Sequence, residues 1–388
     1  MKTGTALPTI STKKGIDSLI LGLYIVGVSM YFINVSHPAD MTRQTLSSPD
    51  GLNNPDDNQQ FNRSLEIVAD WLMERTMTQA EIEDSGSKEP FDFLVITGSH
   101  ELEGYINASL PLIRKGLFRN IILSGGVGNG TPGLLQKAKA NGYLEMVPEL
   151  RDKLEEIERT LESLEKSPKI GDEKFREIVA TLGPDGLGIT ESLIMKSYLL
   201  WKMNEVYGEE SAKTAEEKIL LEGKSTNSGQ NIRFSLELID QKNLIDRKEP
   251  LRILLMQNPV LQKRTRYGFY REYEKWIPQS FEKPELALVS FSGYTFDDLS
   301  RSGRDMESFA QEVFNEVLAI VRYGPKGFIT LKEANEFFDI PKADQEFFLS
   351  KILPHFLVLA RHFEGRIEKE QFVPVLHRLI EVGVEQAL

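Results

Sequence analysis

Cysteine is absent from the 388 residues, which excludes disulfides, thiolate metal sites and a cysteine nucleophile. Histidine is scarce. His37, His100, His355, His362 and His377 are scattered without H-E-x-x-H spacing, so no metal is expected. Positive charge is in deficit, 46 Lys and Arg against 58 Asp and Glu, and the net charge of −12 argues against nucleic acid or an anionic membrane surface as a general partner. Long apolar runs are lacking too, with one exception at residues 18–36 (SLILGLYIVGVSMYFINVS). This run is close to the lower limit of ~17–25 residues for a membrane-spanning helix. Lys13 and Lys14 precede it and Asp40, Asp50, Asp56 and Asp57 follow, which would leave the amino terminus in the cytoplasm and the main domain outside. The alternative is a hydrophobic helix docked on the protein itself, in a cytoplasmic chain. Residues 38–60, rich in Ser, Asn, Asp and Pro, read as a linker.

What is present is an ordinary globular composition, 40% hydrophobic and 27% charged. The pattern centres on residues 120–131, N-I-I-L-S-G-G-V-G-N-G-T. Ile121, Ile122 and Leu123 read as a strand buried on both faces, and the run stops at Ser124 in a loop dense in glycine. Similar strands are expected at 91–97 (FDFLVIT), 218–222 (KILLE), 251–256 (LRILLM) and 286–291 (LALVSF), with helical spacing between them. Strands alternating with helices give an α/β fold, a Rossmann-like doubly wound, mostly parallel sheet. An apparent helical insertion at about 142–188 carries Leu150, Leu154, Ile157, Leu161 and Leu164 at spacings of four and three, a helical-hairpin pattern that must pack on itself or on the core. It reads as either a solvated excursion or a lid and partner arm. Thr131-Pro132 reads as an N-cap with proline at the first helical position, and Thr190 as the cap of a helix to about Tyr207.

In such a fold the carboxyl ends of the strands share one edge, where ligands bind. There the chain offers Ser99 and His100, Ser124 with Gly125, Gly126 and Gly128, Glu222 with Ser225, Thr226 and Asn227, and Gln257 with Asn258. Glu191, Asn231 and Arg264 fall in the first turns of three helices, where helix dipoles and free N–H groups favour anions. The mixture suits a small polar ligand with hydroxyls and a carboxylate or phosphate. Each residue also has a plain structural reading: turn and cap for Ser225, Thr226 and Asn227, capping carboxylates for Glu191 and Glu222, a solvated face for Arg264. No Ser-His-Asp arrangement is legible, so catalysis is left open.

Four motifs in order, S-G-G-V-G at 124–128, T-E-S at 190–192, E-G-K-S-T-N-S-G-Q-N at 222–231 and Q-N-P-V-L-Q-K-R-T at 257–265, resemble the YdcF-like family, which shares a domain with the envelope proteins SanA and ElyC. The likeness runs from about Phe61 to Tyr294 without the insertion, and Y-G-P-K-G at 323–327 resembles a late segment of the YdcF branch. The resemblance implies a Rossmann-like domain over about 61–300 that binds S-adenosylmethionine, with a pocket of Gly98, Ser99, Ser124 to Gly128, Glu191, Glu222, Ser225 to Asn227, Asn231, Gln257 and Arg264. Where the family has glutamate this chain has Gln230, which favours a binder over a catalyst. S-adenosylmethionine is cytoplasmic, so an externally displayed domain would take another ligand, as an anchored envelope-biogenesis protein of the SanA and ElyC kind would.

From residue 301 the pattern is helical. Two half-loops, Gly327-Phe328-Ile329 with Glu333 and Gly365-Arg366-Ile367 with Gln371, have the late spacing of an EF-hand, while Arg322, Gly324, Lys326, Ala360, His362 and Glu364 stand at its early ligand positions and should not bind Ca²⁺. The region 301–388 is a degenerate EF-hand-like pair or a plain helical appendage. It and residues 142–188 are the candidate surfaces for a protein partner.

Overall fold

The computed structural model describes residues 55–363, apart from 100, 243, 245–248, 277, 279–282, 302–304 and 323–345. The hydrophobic segment at 18–36, His100, the Y-G-P-K-G segment and the glycines of both half-loops lie outside the described residues, as does the first 54-residue stretch. Among the described residues no helix is long and apolar enough to cross a membrane.

Five strands, β1 (Phe91–Thr97), β2 (Phe118–Ser124), β3 (Ile219–Glu222), β4 (Leu251–Met256) and β5 (Leu286–Ser290), form one sheet in the order β3-β2-β1-β4-β5, and every pairing is parallel. The chain steps outward from β1 to β2 and β3, then returns to the far side of β1 for β4. The direction therefore reverses between β1 and β4, the position where a doubly wound sheet opens a crevice at its carboxyl edge. The fold is Rossmann-like, with helices on both faces.

The apolar runs explain the sheet. On one face Leu94, Ile96, Ile121 and Leu123 meet α3 (Glu103–Arg114) and α8 (Glu191–Tyr207). On the other, Phe93, Val95, Ile122, Ile253 and Leu255 meet Ile232, Leu236 and Phe269 of α10 (Ser228–Gln241) and α11 (Gln262–Lys275). Strands covered on both sides have no polar face to keep, so they read as unbroken apolar stretches. Gly116 follows α3 with φ at 73°, the left-handed turn that only glycine adopts cheaply.

The insertion folds as a 3₁₀ turn (Tyr143–Met146), α5 (Pro148–Arg151), α6 (Leu154–Lys166) and α7 (Gly171–Leu182). It follows α4 (Thr131–Ala140). Its Leu150, Ile157, Leu161, Leu164, Ile178 and Leu182 belong to the same buried cluster as β1 and α8, so these helices are packed into the core face.

Three helices escape the sequence pattern or extend it. Residues read as linker already form the start of α1 (Pro55–Leu72). α2 (Gln79–Lys88) is closed by a reciprocal Thr78–Glu81 capping box, and α9 (Glu209–Glu216) leads into β3. After β5 come α12 (Phe296–Arg301), α13 (Met306–Arg322), a π turn (Phe348–Ile352) and α14 (Leu353–Phe363). The latter elements pack on α1: Trp71 and Phe348 have ring centroids 5.1 Å apart, Phe61 and His362 4.3 Å, and Ser64 Oγ lies 3.2 Å from His355 Nδ1. Ala360 and His362, the first and third positions of the second EF-hand-like loop, are helical residues of α14.

Candidate functional site at the carboxyl edge of the sheet

Parallel register lines up polar residues across the strand ends. Thr97 pairs with Ser124 and Ser124 with Glu222, while Ile96 pairs with Met256 and so sets Gln257 beside Thr97. Glu222 is the knot of this row. Its Oε2 accepts from Ser124 Oγ at 2.7 Å and Ser225 Oγ at 2.8 Å, and its Oε1 accepts from the amides of Lys224 at 2.6 Å and Ser225 at 3.0 Å. With four donors on a carboxylate that is 4% exposed, its hydrogen-bonding capacity is spent inside the protein. Ser124 Oγ also lies 2.9 Å from the carbonyl of buried Asn231, tying the row to the first turn of α10.

The opposite face of the same edge is built around Glu191. Thr190 caps α8, its hydroxyl accepting from the Leu193 amide at 3.3 Å. Glu191 and Ser192 donate their own amides to the carbonyls of Gly126 and Gly125, both at 2.7 Å. The glutamate side chain enters the glycine loop. A Cβ on Gly98 would lie 2.4 Å from Glu191 Oε2, one on Gly125 would lie 3.0 Å from Glu191 Cβ, and one on Gly128 would lie 3.0 Å from Oε1. At Gly126 a Cβ would fall 1.9 Å from the Ser225 carbonyl oxygen. Gly98 and Gly126 are thus required by neighbours, one by the Glu191 carboxyl group and one by the backbone after β3, while Gly125 and Gly128 sit tightly against the same glutamate side chain.

Thr131 completes the arrangement. Its hydroxyl accepts from the Gly128 amide at 2.8 Å and donates to Glu191 Oε1 at 3.0 Å. Gly130, not Thr131, is the N-cap of α4, because Thr131 spends its side chain on the loop. Among the described residues Thr131 is the one hydrogen-bond partner of the Glu191 side chain, and Oε2 has none. Glu191 keeps some accessible surface although protein atoms surround it densely, the combination expected of a group lining a concavity. Burial lifts its carboxyl to about 7, against the opposing pull of the Thr131 hydrogen bond. Tyr105 of α3 stands nearby, its hydroxyl 3.2 Å from the Thr97 carbonyl and its own ionisation pushed far up by burial and by Glu191 and Glu101.

On the β4 side, Gln257 Nε2 donates to the Gly98 carbonyl at 3.0 Å and its Oε1 accepts from the Asn258 amide at 2.7 Å. Two fully buried polar atoms here have no partner among the described residues: Thr97 Oγ1 at the end of β1 and Asn258 Nδ2 just after β4. Such atoms are uncommon in native structures and cost ~1–3 kcal/mol each when left unsatisfied.

Of the residues expected at the site, Gly98, Ser99, Ser124, Gly125, Gly126, Gly128, Glu191, Glu222, Ser225, Asn231 and Gln257 come together at this edge. Thr226 and Asn227 are exposed and serve the start of α10: Asn227 Oδ1 accepts from the Gln230 amide at 3.0 Å, and Gln230 Oε1 accepts from the Thr226 amide at 2.8 Å. Gln230 is therefore one half of a reciprocal cap. Arg264 pairs with Glu316 of α13 at 2.7 Å, and its neighbours Lys263 and Arg266 both reach Glu74, at 2.6 and 2.5 Å. Burial raises the Glu316 carboxyl to about 7, with Arg264 opposing it. Asn258, expected beside Gln257, lies here too, and Thr97 and Thr131 add to the set. Their positions at strand and loop ends were visible, but hydroxyl and amide roles there are indistinguishable from capping without coordinates. Among the described residues no group of His, Asp and Glu is arranged to hold a metal.

No protein-family model matches the sequence, and the search of curated proteins yields no match.

Proposed function

We propose that this chain is a YdcF-like ligand-binding protein that takes a polar, nucleotide-like molecule, S-adenosylmethionine first among candidates, in the crevice outside the carboxyl ends of β1 and β4. The observation that carries the reading is the pair of unpartnered buried atoms, Thr97 Oγ1 and Asn258 Nδ2, on the two strands that flank the switch point. A ligand offering one acceptor to the amide and one further hydrogen bond to the hydroxyl would satisfy both, and the switch point is where this architecture receives such ligands. The partly accessible Glu191 at the neighbouring strand ends supplies a third polar group. The family assignment belongs to the proposal on sequence grounds; the membrane anchor at 18–36, which would set the domain outside, belongs to the alternative in which the ligand is an envelope molecule. With Glu222 fully engaged and Gln230 capping a helix, neither is an available general base, which supports binding as the primary role.

The test is a thermal-shift titration of the full chain with S-adenosylmethionine, S-adenosylhomocysteine and nucleotide sugars. Ligand at ~100 times its Kd adds ~2.7 kcal/mol of stability, a rise of several degrees in Tm. Replacing Thr97 by Val and Asn258 by Leu should abolish the shift. Thr97→Val leaves the unliganded protein as stable or more so by removing an unsatisfied polar atom, whereas Asn258→Leu costs ~0.5–2 kcal/mol because Asn258 Oδ1 accepts from the Val260 amide. An undiminished shift in the double variant would refute this placement of the ligand.

A further inference from the structure

Asn258 owes its place to the turn it begins. It caps the 3₁₀ turn Pro259–Leu261 through Oδ1, which accepts from the Val260 amide at 3.0 Å, and its carbonyl accepts from the Leu261 amide at 2.9 Å. The turn runs without a break into α11. Whatever fixes the start of that helix therefore also fixes where Asn258 Nδ2 is held.

Two kinds of contact fix it. On the inner side, Gln262 is fully buried and joins the ends of β4 and β5. Its Oε1 accepts from the Gln257 amide at 2.7 Å, and its Nε2 donates to the Leu255 carbonyl at 2.9 Å and to Ser290 Oγ at 2.8 Å. On the outer side the grip is electrostatic. Lys263 and Arg264 stand in the first turn of α11 and Arg266 just after it, where the helix dipole opposes cations. The glutamates that hold them come from outside the sheet: Glu74, just beyond α1, takes Lys263 and Arg266, and Glu316 of α13 takes Arg264. Both α1 and α13 also pack against the Pro259–Leu261 turn, whose Val260 is fully buried.

Packing alone would not place a glutamate at 316. It shares a face of α13 with Phe309, Val313, Val317 and Ile320, all fully buried, and is itself 5% exposed. A buried carboxyl costs stability that an apolar residue would not, and the best-attested use of a paired charge in such a place is to fix register. Here the register it fixes is that of α13 against the start of α11.

We infer that α13 is a working part of the ligand site, with Glu316 as a positioning residue: through Arg264 it holds the turn after β4 so that Asn258 stays at the crevice, and lifting α13 loosens that turn and weakens the site. The link from the turn to a ligand rests on the reading of this edge as a binding site; the link from α13 to the turn does not. By linkage, a bound ligand holds α13 down by the same factor that docked α13 strengthens binding.

Hydrogen–deuterium exchange of the full chain, without ligand, tests the link from α13 to the turn. Glu316→Leu keeps the volume and joins the apolar face, so a role in packing alone would survive it. Exchange in residues 257–266 should nevertheless rise at least ~10-fold, because removing one partner of a buried pair is among the costlier single changes, while β1 and β2 keep their protection. Glu316→Gln, which keeps the shape and an acceptor for Arg264, should restore most of it. Glu316→Asp withdraws the carboxyl by one methylene, is the milder variant, and should give a smaller rise in the same segment. Exchange in 257–266 unchanged in Glu316→Asp, or rising in Glu316→Leu no more than in β1 and β2, would overturn the inference. Calorimetry with S-adenosylmethionine tests the link to the ligand. Binding ~10-fold weaker or more in Glu316→Leu, and near the wild type in Glu316→Gln, supports it. Unchanged binding with a loosened turn overturns it. No binding by the wild type removes the ligand reading itself, and the exchange result still decides whether Glu316 holds the turn.

Discussion

Glu191 gives the sharpest stability prediction. Folding moves its carboxyl from 4.5 to about 7, because the glycine loop and the start of α8 strip it of water and return one hydrogen bond. Between those two values the folded chain holds a proton that the unfolded chain has released, so stability falls as pH rises through this window. Above pH 7 the penalty is complete. At ~1.4 kcal/mol for each tenfold change in proton affinity it amounts to ~3 kcal/mol. Glutamine has the same shape, can accept from Thr131 through its amide oxygen, and carries no charge. Glu191→Gln should therefore match the wild type within ~1 kcal/mol at pH 5 and exceed it by ~2–3 kcal/mol at pH 8. Urea denaturation at the two pH values measures the difference directly, and it isolates Glu191 from Glu316, whose carboxyl is raised to a similar value and contributes to both proteins alike. A pH-independent gap, or a variant that loses ground as pH rises, would refute the account of a buried, proton-holding carboxyl.

The remaining predictions concern what surrounds it. Gly126→Ala places a Cβ 1.9 Å from a backbone oxygen with no side chain to yield, and should cost more than ~3 kcal/mol in chemical denaturation. Gly98→Ala meets the movable end of Glu191 instead, so it should fold but lose the pH-linked difference between Glu and Gln at 191, as the carboxyl is displaced toward solvent. Arg264→Ala leaves Glu316 buried without its ion pair and should cost ~3–5 kcal/mol at pH 8, less at pH 5 where Glu316 can hold a proton. Gln230→Glu keeps the reciprocal cap and adds a negative charge at the start of α10. A gain of ~0.3–1 kcal/mol, lost in high salt, is expected by thermal melting; a change in ligand affinity instead would mean the position contacts the ligand.

The strands were legible because a parallel strand buried on both faces needs nothing but apolar side chains, and Phe91–Thr97 and Leu251–Met256 carry little else. The helices announced by caps, such as Thr190 and Asn227, were equally plain. Less was legible in the site, because its decisive relations are between residues distant in sequence. The glycines near 125 signalled a close approach, but the approaching group is Glu191, which local reading casts as an ordinary first-turn carboxylate. Glu222 reads as a ligand residue by its place at the sheet edge, whereas four donors from its own surroundings occupy it. Arg264 reads as a pocket residue or a solvated face, and what it holds is Glu316 of a helix no motif connects to it.

The packing of α14 and the preceding π turn along α1 has a practical meaning for anyone dissecting the chain. The helix that enters the domain and the helix near its far end share Trp71 with Phe348, Phe61 with His362, and Ser64 with His355. Each flank is the other's lining. A fragment cut at residue 60 starts inside α1 and lacks its first turns, and one cut after α12 bares the apolar side of α1 and exposes aromatic rings that the intact chain keeps dry. The smallest piece worth expressing therefore starts before Pro55 and carries its carboxyl-terminal helices with it.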